Sequence, residues 1–365
     1  MRISDLGNPK SEIRNPKSEI VCMSFRDQLR NKIQKQGPIP FSEYMEDVVR
    51  HYYSSQQNPI GFEADFYTSP DLDPILGQLL ARQFQEMAEE FDSFTVVELG
   101  AGKGLLARDI LRHARFPYLI LERSPAMRRR QAELLGEYNV AWIDELPEGI
   151  TGCIFSNEFF DALPVRRVVR RGEVLKEIYV TENFTEIEGD PQGPVDAPLV
   201  EGRIAEINLE ARRWIRRIGQ SLDAGYHLAI DYGYLRDEYY ARPRGTLMCY
   251  WRHQAVDDPY VRIGEQDITA HVNFSDLMQE GAAAFLDTVR FTTQMDYLVG
   301  LGILDEIEKL AIAGNAVSLQ RLLKIKKLIV PESMGERFKV LIQVKRAHSG
   351  KGTEGSDPSS PSGGR

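Results

Sequence analysis

The chain reads as an α/β protein built on a doubly wound parallel sheet, and three features predict this. Val96-Val97-Glu98-Leu99 is an apolar run that enters Gly100-Ala101-Gly102-Lys103-Gly104 and then a helical stretch from about Leu105 to Arg112. Tyr118 to Leu121 is a second apolar run, closed by Glu122. From Thr95 to Pro164 such runs alternate with helical patterns, the order that requires parallel pairing. Of 365 residues, 42% are hydrophobic and 27% charged, so a packed core is expected. The length suits one large domain or two smaller ones.

The elements follow in order. Asn8-Pro9-Lys10-Ser11-Glu12-Ile13 recurs as Asn15-Pro16-Lys17-Ser18-Glu19-Ile20. Two short polar copies cannot build a stacked core, so residues 1–22 are expected to lie outside the fold, as translated repeat DNA ahead of a start at Met23. Residues 24–53 and 71–91 have helical apolar spacing, broken at Pro38 and Pro40, which makes 23–92 an N-terminal helical region. The main domain is expected over 93–346. After strands at Thr95–Leu99 and Tyr118–Leu121 come Asn139–Ile143 and Gly152–Ser156. Val165 to Thr181 reads as a hairpin turning at Arg171-Gly172-Glu173. A long helix is expected from about Glu201, with Ile204, Ile207, Ala211, Trp214, Ile215 and Ile218 on one face and Arg212, Arg213, Arg216 and Arg217 on a solvated one. Tyr226–Asp231 is the fifth strand, and 232–275 is an insertion rich in Tyr, Arg and His. Ala283–Thr292 and Lys339–Lys345 are the last strands, flanking a helical stretch over 294–328. Residues 347–365 lack large apolar side chains, a composition that stays disordered.

The glycine turn carries the first functional signal. Glycine lets the chain turn sharply and lets a ligand meet bare backbone, at the carboxyl end of a parallel strand. A phosphate-cradling loop needs Ser or Thr after its lysine, and Lys103 is followed by Gly104. A dinucleotide fingerprint needs its third glycine where Leu105 stands. The remaining pattern, Glu98-x-Gly100-x-Gly102-x-Gly104, resembles the first motif of class I S-adenosylmethionine-dependent methyltransferases. The resemblance implies S-adenosyl-L-methionine as cofactor and a Rossmann-like, seven-stranded methyltransferase sheet, with an N-terminal helical region, an insertion after strand five and an antiparallel last strand. Glu98, Gly100, Ala101, Gly102 and Gly104 are then candidate cofactor contacts. Glu122 lies near the roughly 20-residue separation of a ribose-binding carboxylate, which accepts from two hydroxyls. Beyond the third strand, Trp142 or Asp144 is placed beside the adenine.

The string Asn157-Glu158-Phe159-Phe160-Asp161-Ala162-Leu163-Pro164 resembles the MidA family, which includes the mitochondrial complex I assembly factor with protein arginine methyltransferase activity. Phe41-Ser42-Glu43-Tyr44-Met45, Asp65-Phe66-Tyr67-Thr68-Ser69-Pro70, Asp231-Tyr232-Gly233-Tyr234 and Asp267 to Phe274 match further family signatures, as do Thr293-Gln294, Met334-Gly335 and Phe338-Lys339-Val340. The likeness covers about residues 38–346. The family's His-Pro-x-x-Gly-Tyr-Tyr is reduced here to His51-Tyr52-Tyr53, and its Gly-Asp-Phe is Ala64-Asp65-Phe66. The resemblance implies a protein substrate such as a complex I subunit, and it adds Asn157 and Thr68 to the cofactor set.

Methyl transfer to arginine needs carboxylates that grip a guanidinium and aim one nitrogen. Glu158 and Asp161, three residues apart, are the candidate catalytic pair. In an alternative reading Glu158 holds the cofactor's amino group and Asp161 caps the next turn. Asp231, Tyr232 and His271 are candidates for the acceptor pocket; a lone His is also a common packed residue. The net charge of −9 argues against nucleic acid, which needs clustered Lys and Arg. No apolar run approaches the ~18 residues of a membrane span, so no membrane insertion is expected. Cys22, Cys153 and Cys249 show no CxxC spacing, which argues against disulfides and a metal site and for a cytoplasmic location. No motif specifies an oligomeric state.

Overall fold

The computed structural model describes residues 23–54, 69–252 and 254–347. The expectations for the repeat, for Asp65–Thr68 and for the tail beyond Ala347 lie outside the described residues. The central sheet contains β1 (Thr95–Leu99), β2 (Tyr118–Leu121), β3 (Val140–Ile143), β4 (Ile150–Asn157), β5 (Leu222–Tyr234), β6 (Asp287–Thr293) and β7 (Phe338–Lys345). Their spatial order is β3-β2-β1-β4-β5-β7-β6. Pairing is parallel from β3 to β5, and β7 runs antiparallel between β5 and β6, as expected of this fold class. Strand order reverses between β1 and β4, and such a switch point opens a crevice at the strands' carboxyl ends.

Helices cover both faces. On one side pack α3 (Ile75–Ala88), α4 (Leu105–Leu111), α8 (Gln294–Gly300) and α10 (Ala316–Ile329), through Leu76, Leu80, Phe84, Ile110 and Leu328. On the other pack α6 (Leu209–Ser221) and α7 (Phe274–Ala283), through Trp214, Ile215, Ile218 and Leu277. Val96 of β1 faces the first cluster, and Val97 and Leu99 face the second. This two-sided burial explains why the strand reads as an unbroken apolar run. Each fully buried Leu, Ile or Phe adds about 1.5–3 kcal/mol. Further helices are α1 (Phe25–Gln36), α2 (Phe41–Ser54), α5 (Pro125–Leu135) and α9 (Ile303–Ala313).

The segment between β4 and α6 departs from expectation. The predicted hairpin forms as Arg166–Arg171 and Val174–Val180, but it belongs to a five-stranded sheet with Ile39–Pro40, Glu186–Gly189 and Ile204–Ile207. Ile204 and Ile207 are therefore strand residues, paired with Val169 and Arg166. The helix starts later because Asn208 caps it, its Oδ1 accepting from the Ala211 amide at 2.8 Å. A buried pair, with Arg166 donating to both Glu177 oxygens at 2.8 and 2.6 Å, braces this sheet. The insertion after β5 holds a short helix, Arg236–Tyr240, and a three-stranded sheet of Leu247–Trp251, Gln254–Val256 and Asp267–Ala270. Tyr232 and Tyr234 belong to β5 itself.

The centre of the sheet tolerates no side chain at Gly152 and Gly225. These lie side by side on β4 and β5, and a Cβ on Gly152 would sit 1.9 Å from the Thr95 carbonyl oxygen. Gly152→Ala is expected to abolish soluble folding, as judged by expression and thermal melting. Gly172→Ala, at the open hairpin turn with φ +55° and nothing nearby, is expected to cost about 1 kcal/mol.

Candidate active site

The glycine turn adopts left-handed backbone at each glycine: φ is +66° at Gly100, +52° at Gly102 and +79° at Gly104. That alternation is the physical reason for glycine at every second position. The Gly100 amide donates to the Leu121 carbonyl at 3.0 Å and the Gly104 amide to the Ala101 carbonyl at 2.8 Å, which pins the turn between β1 and β2. A Cβ on Gly100 would lie 2.9 Å from the Phe159 ring, so the turn also packs closely on the tip of β4.

Gln131 on α5 ties three strands together. Its Nε2 donates to the Gly102 carbonyl at 2.7 Å and to Glu122 Oε2 at 3.2 Å, and its Oε1 accepts from Trp142 Nε1 at 2.8 Å. It is fully buried. Sequence reasoning missed it, since a Gln within a helix carries no motif. The other oxygen of Glu122 accepts from the Ser124 amide at 2.8 Å. Each carboxylate oxygen retains a lone pair for a further donor. Burial raises the Glu122 pKa. Burial also holds Glu98 up to about 8, against the 2.8 Å hydrogen bond donated by the Tyr118 hydroxyl.

The tip of β4 is built on Asp231. One oxygen of that carboxylate accepts from the amides of Phe159 at 3.2 Å, Phe160 at 2.9 Å and Asp161 at 3.3 Å. The other accepts from the Tyr232 amide at 2.9 Å. Three successive amides converging on one carboxyl oxygen form a nest. Glu158, just before it, takes φ +54°, a strained conformation for a residue with a side chain. The Glu158 amide is fixed by the Ile230 carbonyl at 2.9 Å. Glu158 Oε1 accepts from Asn157 Nδ2 at 3.0 Å and from the Ser69 amide at 3.4 Å. Burial pushes Glu158 up to about 8, reinforced by the charge of Asp161. Burial raises Asp161 to about 6, opposed by a hydrogen bond from Tyr232. Asp231 is raised well above the usual carboxylate range by burial and then by Asp161 and Glu158, against its amide donors.

A cavity of about 1230 Å³ joins these parts. It exceeds the roughly 300–1,000 Å³ of a single small-molecule site, leaving room for two reactants. Glu98, Gly100, Ala101, Gly102, Glu122, Asn157, Glu158, Asp161, Tyr232 and His271 all line it. The cavity wall also includes Tyr53 of α2, Tyr250, Asp267 and Arg337. The Tyr53 hydroxyl donates to Asp267 Oδ1 at 3.3 Å. His271 is stacked on Tyr234 with ring centroids 5.2 Å apart, and Nδ1 meets the Thr246 carbonyl at 3.0 Å. Burial lowers its pKa to about 4, so it stands as a neutral packed ring at pH 7.

Four candidate site residues do not reach the cavity, and one lies outside the described residues. Gly104 turns away to start α4, where a Cβ would meet Gln131. Asp231 sits behind the wall, fully buried by its amide partners, and does not line an acceptor pocket. Asp144 is 88% exposed because Arg128 draws it outward, donating at 2.7 Å, so it does not lie on the cavity wall. Trp142 is held by Gln131 instead; the tryptophan that lines the cavity is Trp214. Thr68 lies outside the described residues.

Residues 75–292 match the model of the family described as "Putative S-adenosyl-L-methionine-dependent methyltransferase". The chain belongs to this family. Its cofactor is S-adenosyl-L-methionine. The chain is 30% identical to the rat "Protein arginine methyltransferase NDUFAF7, mitochondrial", over 88% of this chain and 85% of that protein. It is 29% identical to the Drosophila melanogaster homolog, over 71% and 70% of the two chains. A crystal structure from Burkholderia thailandensis with S-adenosyl-homocysteine bound is 33% identical, with a TM-score of 0.82 over 88% of this chain and 92% of that one. The curated relatives are named mitochondrial, which contradicts the cytoplasmic location expected from the cysteines. Cys153 and Cys249 are buried and unpaired, which specifies no compartment.

The residues present fit the cofactor. Bare backbone at Gly100 and Gly102, spare lone pairs on Glu122 and a buried Asn157 Oδ1 without a partner among the described residues face one crevice. Losing a hydrogen bond to a charged group costs roughly 1.5–3 kcal/mol. Glu122→Ala is therefore expected to weaken S-adenosylhomocysteine binding about ten- to a hundredfold by calorimetry. Asp144→Ala, at an exposed ion pair, is expected to leave it within about twofold.

Proposed function

We propose that the chain methylates arginine on a protein partner, with Glu158 and Asp161 holding the guanidinium. The observation that carries this reading is the buried acidic group at the tips of β4 and β5. Two of its carboxylates, Glu158 and Asp161, line the cavity beside the glycine turn, and neither forms an ion pair among the described residues. The arginine methyltransferase names of the relatives support it. A subunit of respiratory complex I is the partner that the family resemblance points to.

A guanidinium is always protonated and presents a donor fork that matches carboxylates. S-adenosylmethionine, when bound, supplies an electrophilic methyl on sulfur, so the protein's task is largely positioning. Gly100, Gly102 and Glu122 hold the donor side. Glu158 and Asp161 grip the guanidinium from the acceptor side, and Tyr232 fixes Asp161 by a hydrogen bond. The nitrogen that gains a methyl loses a proton, and these carboxylates stand where that proton leaves. Their raised pKa values, about 8 and about 6, suit them to take it.

Glu158→Gln keeps size and packing but removes the charge. Methyl transfer is expected to fall at least about a hundredfold, with S-adenosylhomocysteine binding little changed. Loss of cofactor binding in this variant would move Glu158 to the donor site.

The pH dependence has a definite sign. The carboxylates must ionise to pair with a cation, so turnover of the wild type is expected to rise with pH through the window from about 6 to about 8. Stability of the free protein runs the other way. Glu158 keeps its proton when folded up to about 8 and loses it near 4.5 when unfolded, so its contribution declines as pH rises between these values. Glu158→Gln is expected to melt at a higher temperature than wild type at pH 8 and to match it near pH 4.5. Melting curves at the two pH values check this.

A further inference from the structure

Six of the fifteen large hydrophobic side chains exposed among the described residues lie between Leu304 and Val330, on the hairpin of α9 and α10. Helix α10 packs inward through Ser318, Ile325 and Leu328. Its outward side carries a second apolar stripe. Leu319 and Leu323 are 49% and 65% exposed, and the cap residue Val330 continues their line. Spacings of four and seven put the three on one face. At 100° per residue, Lys326 and Lys327 flank that stripe on either side. The hairpin tip adds Ile312 and Val317, 78% and 68% exposed. Helix α10 holds Arg321, Lys324, Lys326 and Lys327 and no acidic residue, in a chain of net charge −9. Arg321 is committed to Asp73, donating twice at 2.8 Å, which anchors the helix to the body.

We propose that the outward face of α10 docks the protein on an anionic membrane surface. The aliphatic stripe enters the boundary between headgroups and acyl chains, and the lysines meet the phosphates. The composition distinguishes this partner from a protein. Protein-binding hot spots are built from Trp, Tyr and Arg, and lysine is depleted there, whereas this face is Leu, Ile and Val between lysines. Aliphatic residues bordered by lysine are the composition of a helix lying in a membrane interface. No helix among the described residues is long and apolar enough to cross a bilayer, so the contact is peripheral. Glu308 interrupts the face of α9 between Leu304 and Ile312, which confines the contact to α10 and the hairpin tip. Helix α10 runs directly into Pro331–Gly335, and Glu332, Ser333 and Met334 there line the cavity. Docking would therefore set the cavity mouth close to the membrane plane.

The test is sedimentation of the full chain with vesicles. Recovery with phosphatidylcholine vesicles containing about 30% phosphatidylglycerol is expected to exceed recovery with pure phosphatidylcholine at least about fivefold. About 0.5 M salt is expected to remove most of that difference. Leu319→Asp with Leu323→Asp is expected to lower binding at least about tenfold. Lys326→Glu with Lys327→Glu is expected to abolish the preference for the anionic lipid. Unchanged S-adenosylhomocysteine affinity shows that each variant is folded. Equal recovery with both vesicle types, or wild-type binding by the Leu319/Leu323 variant, would overturn the proposal. So would a wild-type dimer in ultracentrifugation that Leu323→Asp converts to monomer, since the face would then belong to a second copy.

Discussion

Four backbone amides converge on the buried carboxylate of Asp231, and the chemistry of the site depends on that contact. The nest curls the chain after β4 into the turn that carries Phe159, Phe160 and Asp161. It thereby holds Glu158 at φ +54°, a conformation that a free chain would abandon. An alanine in its place would leave all four amides without their acceptor. Phe159, fixed by the same nest, closes against Gly100, so one buried side chain sets both the acidic tip and its spacing from the glycine turn.

The arrangement trades stability for readiness. Burial raises the pKa values of Glu98, Glu158, Asp161 and Asp231, the direction expected of acids withdrawn from water. Under the proposed function, a guanidinium entering the cavity would offset part of the cost of keeping these acids out of water, and its planar, multiply donating fork matches carboxylates. Neighbouring groups are fixed by contacts that do not depend on the ligand. Tyr232 is tied to Asp161, His271 is a neutral ring held by a carbonyl, and Gln131 locks Glu122 to Gly102.

Much of this was legible in the sequence, because local geometry wrote it there. Glycine at positions 100, 102 and 104 answers a left-handed backbone at each, and an apolar strand closed by Glu122 answers a parallel strand end at the crevice. What stayed hidden depends on contacts distant in the chain. Asp231 reads as a pocket residue after a strand, and only its pairing with amides 70 to 72 residues away places it behind the wall. Gln131 sits mid-helix without a motif. Ile204 and Ile207 fit a helical face on spacing alone, and sheet pairing with Arg166–Val169 overrode that pattern. Asp144 was misplaced because the pull of Arg128, sixteen residues earlier, outweighs its position at a strand end.

The claim that these carboxylates exist to hold a guanidinium is tested most directly by labelling. Host extract lacking the endogenous protein is incubated with the purified chain and S-adenosylmethionine carrying a labelled methyl group. The labelled protein is then hydrolysed and its amino acids are separated. Label in ω-N-methylated arginine is the predicted result. Label confined to lysine, histidine or a carboxylate side chain, with none in arginine, would contradict it.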